Sequence, residues 1–160
     1  MDPIGRQLRA DDMRRHAAEF VERATARARL PLDYSVTSLR IVDRLIDGLR
    51  RGGAGRESVA GPLLGLGAYV GEVLVRQAGA VWVSLPPEHP LRPVFAHPVG
   101  VRMPDSRMWN PLGRVVNRFE RGPEESLQIY FLTLHGRRSP RARRHPGPRQ
   151  ALDVRCTTRG

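Results

Sequence analysis

The segment LGLGAYVGEVLVRQAGAVWV (64–83) limits the fold more than any other, because it sets four glycines and a glutamate among aliphatic residues and closes on a tryptophan between valines. Three environments accept such a run: a phosphate-binding turn, a membrane span, or a helix that its neighbours approach closely. Gly65-x-Gly67-x-x-x-Gly71 departs from the dinucleotide fingerprint, in which a strand delivers the chain to a tight glycine turn and a helix N-terminus holds the pyrophosphate. The preceding GAGRESVAGP is no strand, and the glycines fall inside a helical period. A phosphate loop of the GxxxxGK type is excluded, since the chain contains no lysine. A span needs ~20 mainly apolar residues, and Glu72 and Arg76 interrupt this one.

What remains is a packing helix over about Ser58 to Ala78, stopped by Gly79. Gly61, Gly65, Ala68 and Glu72 follow at spacings of four, three and four, which puts them on one stripe. Glycine inside a helix costs ~1 kcal/mol relative to alanine, so the stripe predicts a close neighbouring backbone. Glu72 then ends either in a crevice, as a carboxylate of raised pKa, or in an ion pair with a nearby arginine. The ion pair is the expectation.

The flanking segments predict one domain of the α+β class. Met13, Ala17, Phe20, Val21, Ala24 and Ala28 recur at helical spacing from Asp11 to about Arg29, and Pro31 ends that helix. Val36, Leu39, Val42, Leu45, Ile46 and Leu49 form the stripe of a second helix, begun near Asp33 or Ser35 and closed by Arg50, Arg51 and Gly52. AVWVSL (80–85) alternates like a strand, and Val99, Val101 and Met103 suggest another, with proline-rich PPEHPLRP (86–93) between them. Trp82 reads as core. After the turn-rich MPDSRMWNP (103–111), Asn110 and Pro111 start a helix whose inward residues are Leu112, Val115, Val116 and Phe119. Pro123-Glu124-Glu125 opens the last helix, which buries Leu127, Tyr130, Phe131 and Leu134 and stops near Gly136. The expected fold is therefore about five helices packed on a two- or three-stranded β element, with residues 1–10 and 137–160 disordered.

Charge separates body from tail. Eight of the 27 basic residues, all arginine, lie in residues 137–160 against one acid, Asp153. That segment has three prolines and almost no large apolar side chain, so it cannot offset the entropy of ordering. Arg137, Arg138, Arg141, Arg143 and Arg144 are its candidate phosphate-binding residues. They would bind a nucleic-acid backbone by charge alone, with no aromatic residue for base stacking. The lone Cys156 excludes an internal disulfide and a cysteine metal cluster. The five histidines lack metal-ligand spacing, so neither a metal nor a cofactor is expected. MDPIGRQLRADDMRR has no apolar signal core, which predicts a cytoplasmic protein.

The order DYSVTSLRIVDRLIDGL, LGAYVGEVLVRQAGAVWV, NPLGRVVNRF and GPEESLQIYF resembles a family of small, mainly actinobacterial proteins without an assigned activity. The resemblance covers about Leu32 to Leu134. It implies a single α+β domain in which a Gly-Ala-Tyr-x-Gly-Glu helix leads into a tryptophan-bearing strand, and it assigns no residue a role.

No GxSxG, paired catalytic carboxylates or Cys/His arrangement occurs in the chain, and His97 with Asp105 is only a weak loop pair. The leading reading is a non-enzymatic binding or protein-interaction domain, with Trp109 and Tyr69 as candidate contact residues. The first alternative is an enzyme using Glu72 as acid or base in the glycine-lined crevice, which requires Glu72 to open to a cavity with no arginine in reach. The second is nonspecific nucleic-acid binding through the tail.

Overall fold

The computed structural model describes residues 8–136. Among them are five helices and a three-stranded antiparallel sheet: α1 (Ala10–Arg27), α2 (Leu39–Arg51), α3 (Ala60–Ala78), β1 (Val81–Ser84), β2 (Val99–Arg102), β3 (Met108–Trp109), α4 (Pro111–Arg121) and α5 (Leu127–Gly136). This is the α+β architecture expected. The arginines of the tail, Arg137, Arg138, Arg141, Arg143 and Arg144, lie outside the described residues, as do residues 1–7 of the lead-in. Residue 10 of that lead-in is already helical.

α3 is the centre of the domain, and every residue from Gly65 to Leu74 is buried. Its glycines do not make the single stripe that their spacing suggests. A Cβ on Gly65 would stand 3.0 Å from Phe20 Cβ of α1, and one on Gly67 would stand 2.9 Å from Leu112 Cα of α4. One on Gly71 would overlap the Trp82 indole of β1. Each glycine thus admits a different neighbour, while Gly61, at the exposed start of the helix, has nothing near it. Close approach explains the glycines, but it comes from three sides. Gly79 ends the helix as expected, in the left-handed conformation with φ 68° and its N–H bonded to Leu74 O.

Other helix ends follow local chemistry. The Asn110 side chain accepts from Gly113 N at 2.8 Å and Pro111 takes the first helical position of α4. α2 begins later than its first capping residues suggest. Asp33 accepts from Ser35 N at 3.0 Å and Ser35 Oγ from Ser38 N at 3.2 Å, so these groups hold a turn ahead of the helix. Likewise Pro123–Glu125 forms a separate 3-10 turn and α5 starts at Leu127, because the Ser126 backbone (φ −49°, ψ 128°) breaks the helical path. β3 lies in the stretch read as turns; it is two residues long, too short for alternation to show.

In the sheet, Trp82 pairs with Val101 and Val101 with Trp109. Trp82 is half-buried and packs onto α3, at the core edge.

The largest departure lies in α4. Arg118 also faces inward, with 3% of its side chain exposed, beside Phe119, which packs half-buried against the core. Its Nε donates to Asp43 Oδ1 at 3.0 Å, and its Nη1 lies 2.9 Å from Asp47 Oδ1 in an ion pair outside hydrogen-bond angles. Asp43 also accepts from Ser126 Oγ and Leu127 N. One guanidinium therefore ties α4 to two carboxylates of α2, and Asp43 directly holds the start of α5. Val116 and Phe119 are only half-buried.

Candidate functional site

Glu72 is closed. Its side chain is 3% exposed, Oε1 accepts from Trp82 Nε1 at 3.1 Å, and Oε2 faces Arg76 Nε at 3.4 Å. Arg76 in turn lies 3.6 Å from the centre of the Tyr34 ring, which stacks on Tyr69 at 4.7 Å. Both carboxylate oxygens are occupied, and an arginine stands where the enzymatic reading needed open space. That reading loses its motivation. The glycine-lined crevice does exist, between α1, α2 and α3, but Gly61 and Gly65 line it and Glu72 does not.

Tyr69 is corrected from a contact residue to a core residue. It is fully buried, and its hydroxyl accepts from Tyr34 N at 2.9 Å and bonds Ser38 Oγ at 2.7 Å. The reason is position: Tyr69 lies midway along the central helix, where no face reaches solvent. Its bond to Tyr34 N helps to fix Tyr34 at φ 60°, a conformation rare for a residue with a side chain.

Trp109 lies at a cavity. A cleft of about 450 Å³ runs between the 94–97 loop, β3, α4 and α5, and a side chamber of about 160 Å³ shares Arg56, His97 and Val116 with it. The loop carries Phe95 and His97 to one wall. β3 presents Trp109 and Met108, α4 presents Arg114, Asn117 and Glu120, and α5 contributes Tyr130. Trp109 and Tyr130 meet edge to face at 5.5 Å. Arg114 lies 4.1 Å from the Tyr130 ring centre and its Nη1 bonds Glu125 Oε2 at 2.8 Å. Arg56 bonds Glu120 at 2.9 Å, and Arg107 flanks the Trp109 ring at 5.5 Å.

Three polar atoms of these lining residues are buried without a hydrogen-bond partner: His97 Nδ1, Trp109 Nε1 and Tyr130 Oη. Arg114 packs on the Tyr130 ring and favours its ionised form by charge, yet reaches no hydrogen-bond geometry with Oη. Burial is the stronger influence and pushes the Tyr130 hydroxyl up to about 12. Burial also lowers His97, helped by the charges of Arg56 and Arg92, so the imidazole is neutral near pH 7. His97 makes no bond with Asp105, which is held by Arg107 in the β2–β3 turn at 2.6 Å. The sequence pointed to Trp109 by its place in a turn. Tyr130 and Arg56 gave no such signal, because the first looks like a core position of α5 and the second like a loop arginine.

All three tyrosines share one electrostatic signature. Burial raises Tyr34, Tyr69 and Tyr130 above the usual phenol value, against opposing arginine charge or hydrogen bonds. The unfolded chain ionises its phenols near 10, so folding stability is full below that pH and falls as pH rises from about 10 toward 12. An alkaline titration followed by phenolate absorbance is expected to show no phenol of ordinary value in the native protein. A native tyrosine ionising at its unfolded value would contradict the burial described here.

Among the described residues no group of three His, Cys, Asp or Glu side chains is placed to hold a metal ion, and no helix is long and apolar enough to cross a membrane. No family model, no curated protein and no solved structure matches this chain.

Proposed function

We propose that the protein is a non-enzymatic binding domain whose cleft beside Trp109 and Tyr130 takes a small organic anion with a planar body. One observation carries this reading: three buried polar atoms without partners belong to residues that line the same cleft. Native proteins leave few such groups unpaired, since each costs ~1–3 kcal/mol of lost hydration. Their grouping around one cavity is accounted for if a ligand supplies the missing partners. Indole N–H is a donor only and the phenol donates readily, so the ligand offers oxygen acceptors. Arg56 and Arg114 each spend one Nη1 on a glutamate, Glu120 and Glu125, and keep further guanidinium N–H donors for an anionic oxygen, while Phe95, Met108 and the two aromatic rings favour a flat apolar body.

The test is calorimetric titration with benzoate and salicylate, with inorganic phosphate as the comparison anion. Saturable binding of an aromatic carboxylate, weakened about tenfold by Tyr130→Phe and by Trp109→Phe, is expected for lost hydrogen bonds to a charged group. Tyr130→Phe is also expected to leave the melting temperature unchanged or raise it, because it removes an unpaired buried hydroxyl. A stability loss together with unchanged binding would reject the assignment.

A further inference from the structure

The second cavity is independent of that cleft. It is a groove of about 590 Å³ between α1, α2 and α3, within the range of roughly 300–1,000 Å³ typical of small-molecule sites. Phe20, Leu30, Leu45, Leu49 and Leu64 supply an apolar interior. Its α1 wall carries Arg23 and Arg27, one turn apart, both exposed and neither with a carboxylate within ion-pair distance among the described residues. Glu19 and His16 lie on the same wall toward the start of the helix; Glu19 stands four residues before Arg23, yet no pair forms. The groove thus combines an apolar trough with unpaired positive charge at one end of α1.

We propose that this groove binds a free long-chain carboxylate, its alkyl chain along the leucines and its head at Arg23 and Arg27. An uncharged hydrocarbon would fill the trough but leave the arginines without a role, and a cationic amphiphile would find Glu19 alone as a counter-charge against two arginines. The complementarity selects an anionic head on an apolar chain. A phospholipid in a bilayer offers the same chemistry from another source; the groove lies between packed helices, which suits a single extracted chain.

The test compares dodecanoate with dodecyltrimethylammonium by calorimetry below their micelle concentrations, using the full chain. Expected are one dodecanoate per chain and a preference over the cation of at least about tenfold, the scale of a charge-assisted contact. Arg23→Gln with Arg27→Gln is expected to abolish that preference while leaving the melting temperature unchanged, since both side chains are exposed. Gly61→Leu, at an open position on the groove wall, is expected to weaken dodecanoate about fivefold or more without loss of stability. Equal affinity for the two amphiphiles would overturn the proposal. So would a preference that survives in the double variant, because it would then arise elsewhere, as on the arginine tail. Co-sedimentation with phosphatidylglycerol vesicles that the double variant loses, with no dodecanoate binding, would assign the surface to membranes and equally overturn it.

Discussion

Arg118→Ala is expected to lower the unfolding free energy by about 3–5 kcal/mol, the cost of breaking a buried ion pair from one side. That is a large part of the ~5–15 kcal/mol available to a domain. Among the described residues the guanidinium is the one group that answers both Asp43 and Asp47, and Asp43 in turn holds Ser126 Oγ and Leu127 N. Removing the cation leaves two carboxylates on one turn of α2 facing a cavity. Arg118→Lys is expected to recover only part of the loss, because a single ammonium cannot span both acids as the planar fork does. Replacing all three residues, Arg118→Met with Asp43→Asn and Asp47→Asn, is expected to be milder than Arg118→Ala alone, since no charge is left unpaired. Chemical denaturation of the four proteins gives the ranking. If Arg118→Ala costs no more than a surface substitution, the cluster does not hold α2, α4 and α5 together.

The same cluster has a pH signature. The Arg118 guanidinium, 2.9 Å away, is the main cause that holds the Asp47 carboxyl below its usual 3.8, against a smaller opposing effect of burial. A carboxyl lowered in the folded state contributes stability above its unfolded value and loses it as pH falls through the folded one. The gap between wild type and Arg118→Ala is therefore expected to narrow as pH drops below 3.8. A constant gap would place the effect in packing instead of charge.

How much of this was legible in the sequence depends on whether the cause is local. The caps at Asn110–Pro111 and Gly79 follow from single side chains and single backbone positions, and they stand where the sequence puts them. So do the long amphipathic stripes of α1 and α2. Arg118 was not legible: an arginine between Asn117 and Phe119 on a short helix reads as solvated, and only α2, 75 residues away in sequence from the point of contact, supplies the carboxylates that bury it. The site divides the same way. Trp109 stands out as a tryptophan in a turn, whereas the unpaired state of His97, Trp109 and Tyr130 is a property of three segments meeting. The burial of Tyr69 is hidden for a related reason, since helical spacing cannot tell a helix buried on one side from one buried on all sides. The glycines of α3 carry the clearest case. Their number announced close contact, and their spacing suggested one direction; the fold uses three.

That geometry makes one substitution carry opposite signs along a single helix. Gly71→Ala is expected to destabilise by about 2–3 kcal/mol, because the new methyl group would occupy the space of the Trp82 six-membered ring. Higher helix propensity offsets at most ~1 kcal/mol of the clash. The indole has nowhere to retreat while its Nε1 donates to Glu72 Oε1, and α3 cannot recede while Gly65 and Gly67 rest against Phe20 and Leu112. Gly61→Ala meets nothing within 4 Å and has a negative φ, so it is expected to stabilise by roughly half a kcal/mol. In a Trp82→Ala background the Gly71→Ala penalty should vanish, a coupling of about 2–3 kcal/mol in a double-mutant cycle. A penalty that persists without the indole would mean that some other group fills the space above Gly71. A Gly61→Ala loss as large as that at Gly71 would mean that the helix, and not its neighbours, sets the requirement for glycine.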